Sequence, residues 1–253
     1  MRMFLTIFIS VSIFSSTKAQ SKSEHTEAKE YGFYGKVKTV VQYDFIADST
    51  VKKDSAYYLV NRNGYELKRT YFFNPKGEVD SIVSLYPYKD DFTKKIIPVY
   101  NYLIYEFNNV GRKSGFKSYS NERNLDVQGE ITWIDKTHYI QKNYEVTKDG
   151  KKSKIKEISF SLTDKFRELS YEVKTFGKVN GALLTHYIVT NSFDQAGYLE
   201  KKRVEYKAEA KGPDENIYKY QKYDKMKNPC ETLEMTGDNK RLKTYILTEY
   251  SYY

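Results

Sequence analysis

An all-β fold is predicted for this chain, an antiparallel meander of consecutive hairpins forming a curved sheet or an open barrel-like wrap. Three observations predict it. A short phrase recurs along the 253 residues: an aromatic or apolar residue, Asn or Asp, two free positions, then Gly. Between its copies the side chains alternate with period two, as on a half-buried strand, and no segment carries a sustained helical stripe. The composition, with 26 Tyr and 14 Phe among many Val, Ile and Thr, suits pleated surfaces.

The phrase reads Val60-Asn61-Arg62-Asn63-Gly64, Phe73-Asn74-Pro75-Lys76-Gly77, Phe107-Asn108-Asn109-Val110-Gly111 and Phe193-Asp194-Gln195-Ala196-Gly197. Val146–Gly150 is a weaker copy, and Leu162–Phe166 and Tyr223–Lys227 keep the frame without the glycine. Asn or Asp at the first turn position accepts hydrogen bonds from backbone amides further on. A type I turn follows, and the closing residue takes positive φ, which Gly adopts without steric penalty. The turn glycines Gly64, Gly77, Gly111 and Gly197 therefore mark hairpins.

The strands follow in order: 36–45, 56–60, 65–73, 79–85, 99–107, 113–119, 130–134, 138–146, 155–162, 167–176, 183–193, 198–207, 217–223, 230–235 and 244–252. In the first, Val37, Thr39, Val41, Tyr43 and Phe45 oppose Lys36, Lys38, Gln42 and Asp44. Polar stretches at 86–95, 120–129 and 208–216 read as loops, and 20–30 as a disordered tail. The run from 99 to 107 is apolar or aromatic on both faces, so it belongs inside the sheet and covered on at least one side. The last strand sets Tyr250 and Tyr252 against Glu249 and Ser251.

The aromatic-Asp/Asn-x-x-Gly phrase resembles the YD-repeat (Rhs-type) β-hairpin family, over the marks from Val60 to the C-terminus. The closing segment, with Tyr223-Asp224 and the terminal Tyr252-Tyr253, is similar to the end of small exported YD-like proteins of unknown function. Lys227-Asn228-Pro229 departs from the Gly-Asn-Trp segment of that pattern. The resemblance implies a hairpin-built sheet and carries no catalytic residues.

At the N-terminus, Arg2, an apolar run from Met3 to Phe14 and a small-residue site ending at Ala19 read as a secretory signal peptide over 1–19. That run is shorter than a spanning helix needs, so no transmembrane span is expected after its removal. The expected compartment is the periplasm, the outer-membrane surface or the extracellular space. The domain is expected over 31–253. The formal charge is +9, spread among acids along the strands, which makes nucleic acid an unsuitable partner for an exported chain.

Chemistry-bearing motifs are absent from the sequence. Cys230 stands alone, His25, His138 and His186 lack ligand spacing, and no nucleophile elbow or phosphate loop occurs. Asp90-Asp91 is too sparse for a calcium loop. No catalytic residue, metal or cofactor is therefore expected. The tyrosines suggest a ligand face comprising Trp133, Tyr250 and Tyr252, where rings stack on a glycan, a peptide or an envelope protein. The expected function is a non-catalytic exported binding or scaffold module. The alternative is a glycan-directed hydrolase of the envelope, which a clustered pair of buried acids in a cleft would favour.

Overall fold

The computed structural model describes residues 26–46, 65–89, 96–121, 123–207, 212–238 and 241–253. A single helical turn, α1 (Glu27–Glu30), precedes β1 (Val37–Ile46), β2 (Leu67–Phe73), β3 (Val79–Lys89), β4 (Ile96–Phe107) and β5 (Lys113–Tyr119). Then come β6 (Leu125–Trp133), β7 (His138–Val146), β8 (Lys152–Leu162), β9 (Glu168–Phe176) and β10 (Leu183–Phe193). The last are β11 (Leu199–Tyr206), β12 (Asp214–Tyr223), β13 (Pro229–Thr236) and β14 (Leu242–Tyr252). Each strand pairs antiparallel with its sequence neighbours, and β1 pairs with β14, from Val37 opposite Tyr252 to Ile46 opposite Thr244. The expected antiparallel meander of hairpins is thus present, and among the described residues it closes fully into a barrel.

A closed meander sends alternate turns to opposite rims. The β2–β3, β4–β5, β6–β7, β8–β9, β10–β11 and β12–β13 turns share one rim with the start of β1 and the end of β14. All the full-length marks within the described residues fall there. The copy at Val146–Gly150 lies at the other rim.

The turn chemistry follows the sequence argument. Gly77, Gly111, Gly150 and Gly197 have φ of 87°, 78°, 79° and 87°. Where glycine is missing, Phe166 and Lys227 occupy the same position and take φ of 63° and 67°. The Asn74 side-chain oxygen accepts from the amides of Lys76 and Glu78, and that of Asn108 from Val110 and Arg112. Asp224 repeats the pattern with Met226 and Asn228, and the Thr163 hydroxyl accepts from Arg167.

Cross-strand partners share a face, so the register sorts inside from outside. Val40, Gln42 and Asp44 lie opposite Tyr250, Thr248 and Ile246, and this set points inward. The nominally polar face of β1 therefore lines the interior, where Asp44 pairs with Arg69 at 3.2 Å. On β4, Leu103 and Tyr105 pack on the core while Tyr102 and Ile104 are exposed, so one side of that strand is covered.

Four boundaries differ from the sequence reading. The expected 120–129 loop already contains β6 from Leu125, because Val127 packs inward although its neighbours are polar. The expected 208–216 loop yields to β12 at Asp214, where Asn216 is fixed by Glu234 at 2.6 Å and Lys243 at 2.7 Å instead of by apolar contacts. β3 runs on to Lys89 and β4 begins at Ile96, so the expected 86–95 loop is largely strand at its start. The end of the expected disordered tail, from Thr26 to Glu30, is folded, and Ala28 and Glu30 are buried. The leader, the 56–60 strand, Gly64, His25 and Asp90-Asp91 lie outside the described residues.

Candidate ligand cavity in the barrel mouth

The recurring phrase does more than turn the chain. At every turn of the terminal rim, a residue i pairs with residue i+6 across the hairpin. The pairs are Phe73 with Val79, Phe107 with Lys113, Trp133 with Tyr139, Leu162 with Glu168, Phe193 with Leu199 and Tyr223 with Pro229. In five of the six the register shifts by one at this pair, the bulge expected after a type I turn closed by a left-handed residue. Position i+6 is thereby aimed at the barrel mouth. Val79, Tyr139 and Lys113 are buried, and Glu168, Leu199 and Pro229 line an internal cavity.

The segment 26–34 plugs this mouth. Its backbone is tied by Ala28 N–H to Gly77 O at 3.0 Å. Asn228, fully buried, accepts from Tyr34 N–H at 2.7 Å and donates to Tyr34 O and the Tyr252 hydroxyl, each at 2.8 Å. The Phe33 ring meets Tyr71, Phe73 and Tyr250 edge-on. Glu30 is the polar anchor. Lys113 Nζ reaches its two oxygens at 3.1 and 3.3 Å, and the Tyr139 hydroxyl donates to it at 2.7 Å. Gly32 is favoured by its φ of 83°, and the Arg167 guanidinium lies against it in the space a side chain would take.

Between plug and wall lies a cavity of about 290 Å³. Tyr198, Tyr218, Tyr220 and Tyr250 supply aromatic wall, and Arg167, Glu168 and Asn191 supply polar groups. Burial raises the pKa of the Tyr218, Tyr220 and Tyr250 hydroxyls, which stay neutral donors. Burial also pushes the Glu168 carboxyl up, reinforced by the charge of Glu30 and opposed by Lys202 and Lys113. Asn191 donates to the Glu168 carbonyl at 2.9 Å, while its buried side-chain oxygen has no partner among the described residues. The Arg167 guanidinium stands 5.5 Å from the Tyr34 ring centre and makes no ion pair among the described residues, while its backbone N–H donates to the Thr163 hydroxyl and its carbonyl accepts from Thr163 N–H.

The three residues of the expected ligand face all belong to the mouth, in two clusters. Trp133 packs on Tyr139 at 4.7 Å, lies under the Arg112 guanidinium at 4.6 Å and donates to Lys113 O at 3.0 Å. Tyr250 and Tyr252 stack on each other on the opposite cluster, with Val40 and Phe33. Only Tyr250 of the three lines the cavity, so they form no common platform. Arg167, Glu168, Asn191 and the plug were missed by sequence reasoning. A signal existed for Glu168, the sixth residue after Leu162 in a phrase already recognised.

Cys230 is half-buried, and burial raises its thiol pKa, which disfavours the thiolate. His138 bonds Asp135, whose carboxyl is held down at about 2 by the Thr137 amide and His138, and His186 bonds Glu172 at 2.6 Å. Among the described residues no cluster of His, Cys, Asp and Glu could hold a metal.

No protein-family model matches the chain, and no curated protein matches its sequence. Several solved structures are similar, two of which follow. A porin-like protein from Bacteroides uniformis is 9% identical with a TM-score of 0.41, over 85% of this chain and 97% of its own. A protein of unknown function from Bacteroides fragilis is 11% identical with a TM-score of 0.34, over 49% of this chain and 90% of its own.

Proposed function

We propose that this chain is a non-catalytic exported binding protein of the cell envelope, and that its ligand, a small glycan or peptide fragment, occupies the cavity beneath the plug. The observation that carries this reading is the cavity itself: aromatic walls with a few convergent polar groups, one of them a buried carbonyl oxygen without a partner among the described residues. Of the expected Tyr-rich face, Tyr250 lines this cavity.

The outer face argues for water on one side of the barrel. From β9 to β12 it carries Glu172 with Lys174 and His186, and Glu215 with Lys201 and Arg203. A barrel wall facing hydrocarbon presents an apolar band there. No helix among the described residues is long and apolar enough to cross a membrane. A barrel held in the periplasm, on the outer-membrane surface or outside the cell fits this face.

A glycan-directed hydrolase is the second reading, and one observation favours it: Glu30 and Glu168 line the same cavity. Against it, both Glu30 oxygens are engaged by Lys113 and Tyr139. The experiment is a calorimetric and thermal-shift screen of oligosaccharides and short peptides on wild type and Leu199→Trp, which fills the cavity. At least one class should bind wild type and raise its Tm, with the response lost in a folded Leu199→Trp. A response that survives the filling, or none from any class, overturns the cavity reading. Release of reducing ends from a bound glycan, abolished by Glu168→Gln, would establish the hydrolase instead.

A further inference from the structure

Resting on the cavity reading, we infer that the ligand is a small sugar acid, a pyranose carrying a carboxylate, with its charged end on Arg167. Three features of the cavity call for different parts of one molecule. The Arg167 guanidinium lines the wall with no carboxylate paired to it among the described residues, and Glu168, its neighbour in sequence, bonds Asn191. A guanidinium presents a planar fork of N–H donors that matches a carboxylate bidentately. The Arg167 tip lies against the Gly32 backbone, and the Tyr34 ring backs it at 5.5 Å.

The second feature is Asn191. It is 7% exposed and lines the same cavity, its amide nitrogen is occupied by Glu168, and its oxygen lacks a donor among the described residues. An unmet buried acceptor asks for a hydroxyl or an N–H on the ligand, since leaving it unpaired is costly. A bare inorganic anion bound at Arg167 supplies no ring to reach it.

The third feature is the aromatic wall. Tyr198 and Tyr220 stand 5.3 Å apart, and Arg167 acts electrostatically on both hydroxyls. The rings offer apolar faces beside polar tips, which suits the mixed surface of a hydroxylated ring. Carboxylate, hydroxyls and a ring with an apolar face together describe a sugar acid. A neutral sugar leaves Arg167 unmatched, and phosphate leaves Asn191 and the tyrosine faces unmatched.

The test measures D-glucuronate, D-glucose and inorganic phosphate by calorimetry on the intact mature protein, with wild type, Arg167→Gln and Asn191→Leu. Glucuronate should bind more tightly than glucose by roughly ten- to a hundred-fold, the worth of a charged hydrogen-bonded pair. Arg167→Gln should weaken glucuronate far more than glucose and so bring the two towards the same affinity. Asn191→Leu should weaken both sugars, and phosphate should bind more weakly than glucuronate. If glucose matches glucuronate and Arg167→Gln alters neither, the sugar-acid assignment falls while the cavity reading stands. Phosphate binding as tightly as glucuronate also overturns it, in favour of a simple anion site. If neither sugar binds while the Leu199→Trp screen finds another class, the assignment alone fails; if that screen is also silent, both fail.

Discussion

Replacing Lys113 by methionine should undock the plug. The Lys113–Glu30 pair is 5% exposed on both sides, at 3.1 Å. The ammonium also lies 4.6 Å from the Tyr139 ring centre and 5.8 Å from that of Tyr105. Methionine keeps the apolar stem and removes only the charge, so the cost is that of stranding a buried carboxylate, about 3–5 kcal/mol. Combining Glu30→Gln with Lys113→Met restores neutrality, and the glutamine can still accept from Tyr139. The double variant should therefore recover about 2 kcal/mol relative to Lys113→Met, a coupling of the size that contacting residues show. The loss falls on whichever opening is cheapest, and the plug is a short segment outside the strand ladder. Two assays read it together: urea unfolding for the barrel, and native-state chymotrypsin cleavage at Phe33 for the plug. Cleavage should accelerate strongly in Lys113→Met and return towards wild type in the double variant. Stability within about 1 kcal/mol of wild type, with Phe33 still protected, would refute the latch.

Asn228→Ala removes bonds to Tyr34 N–H, Tyr34 O and the Tyr252 hydroxyl and should destabilise by about 1–3 kcal/mol, read by urea denaturation. Gly77→Val and Gly197→Val should each lower stability by about 1 kcal/mol or more, since both sit at φ of 87°. Lys227→Gly should do the opposite and add about 1 kcal/mol, because the exposed lysine holds φ of 67° against its own Cβ; equal Tm values for these variants and wild type would count against the turn assignment. Glu168 sets a pH dependence. Its pKa is raised from 4.5 by burial and Glu30, so its neutral form stabilises the fold fully below pH 4.5 and that contribution is lost as pH rises through the elevated value. Stability measured from pH 4 upward should fall in wild type relative to Glu168→Gln, and parallel curves would contradict it.

Local chemistry made the hairpins legible. Asn74, Asn108, Asp194 and Asp224 bond the amides of their own turns, and the residue that closes each turn takes positive φ whether it is Gly197 or Lys227. These interactions span a few residues, and nothing distant competes with them. Strand alternation was equally local, and it failed where polar residues pair across strands, as Asn216 does with Glu234. A two-residue period shows that a strand has two faces but not which face is inside. Gln42 and Asp44 read as the polar face of their strand, and in the barrel that face looks inward.

Closure decides that. Only when β14 meets β1 does one face become an enclosed space, and this contact joins residues about 200 positions apart, such as Phe45 and Tyr245. No pattern in either strand states that the other is its partner. Enclosure then changes the chemistry of residues that look ordinary in sequence. Lys113 and Glu30 become a buried latch because the mouth excludes water around both, and Glu168 holds its proton more tightly for the same reason. The turns, the strands and their antiparallel succession were already written in the chain, since they rest on short-range hydrogen bonds and periodicity. Which side chains lost their water, and with that where a ligand could be held, followed only from the long-range closure that sets the two ends of the chain side by side.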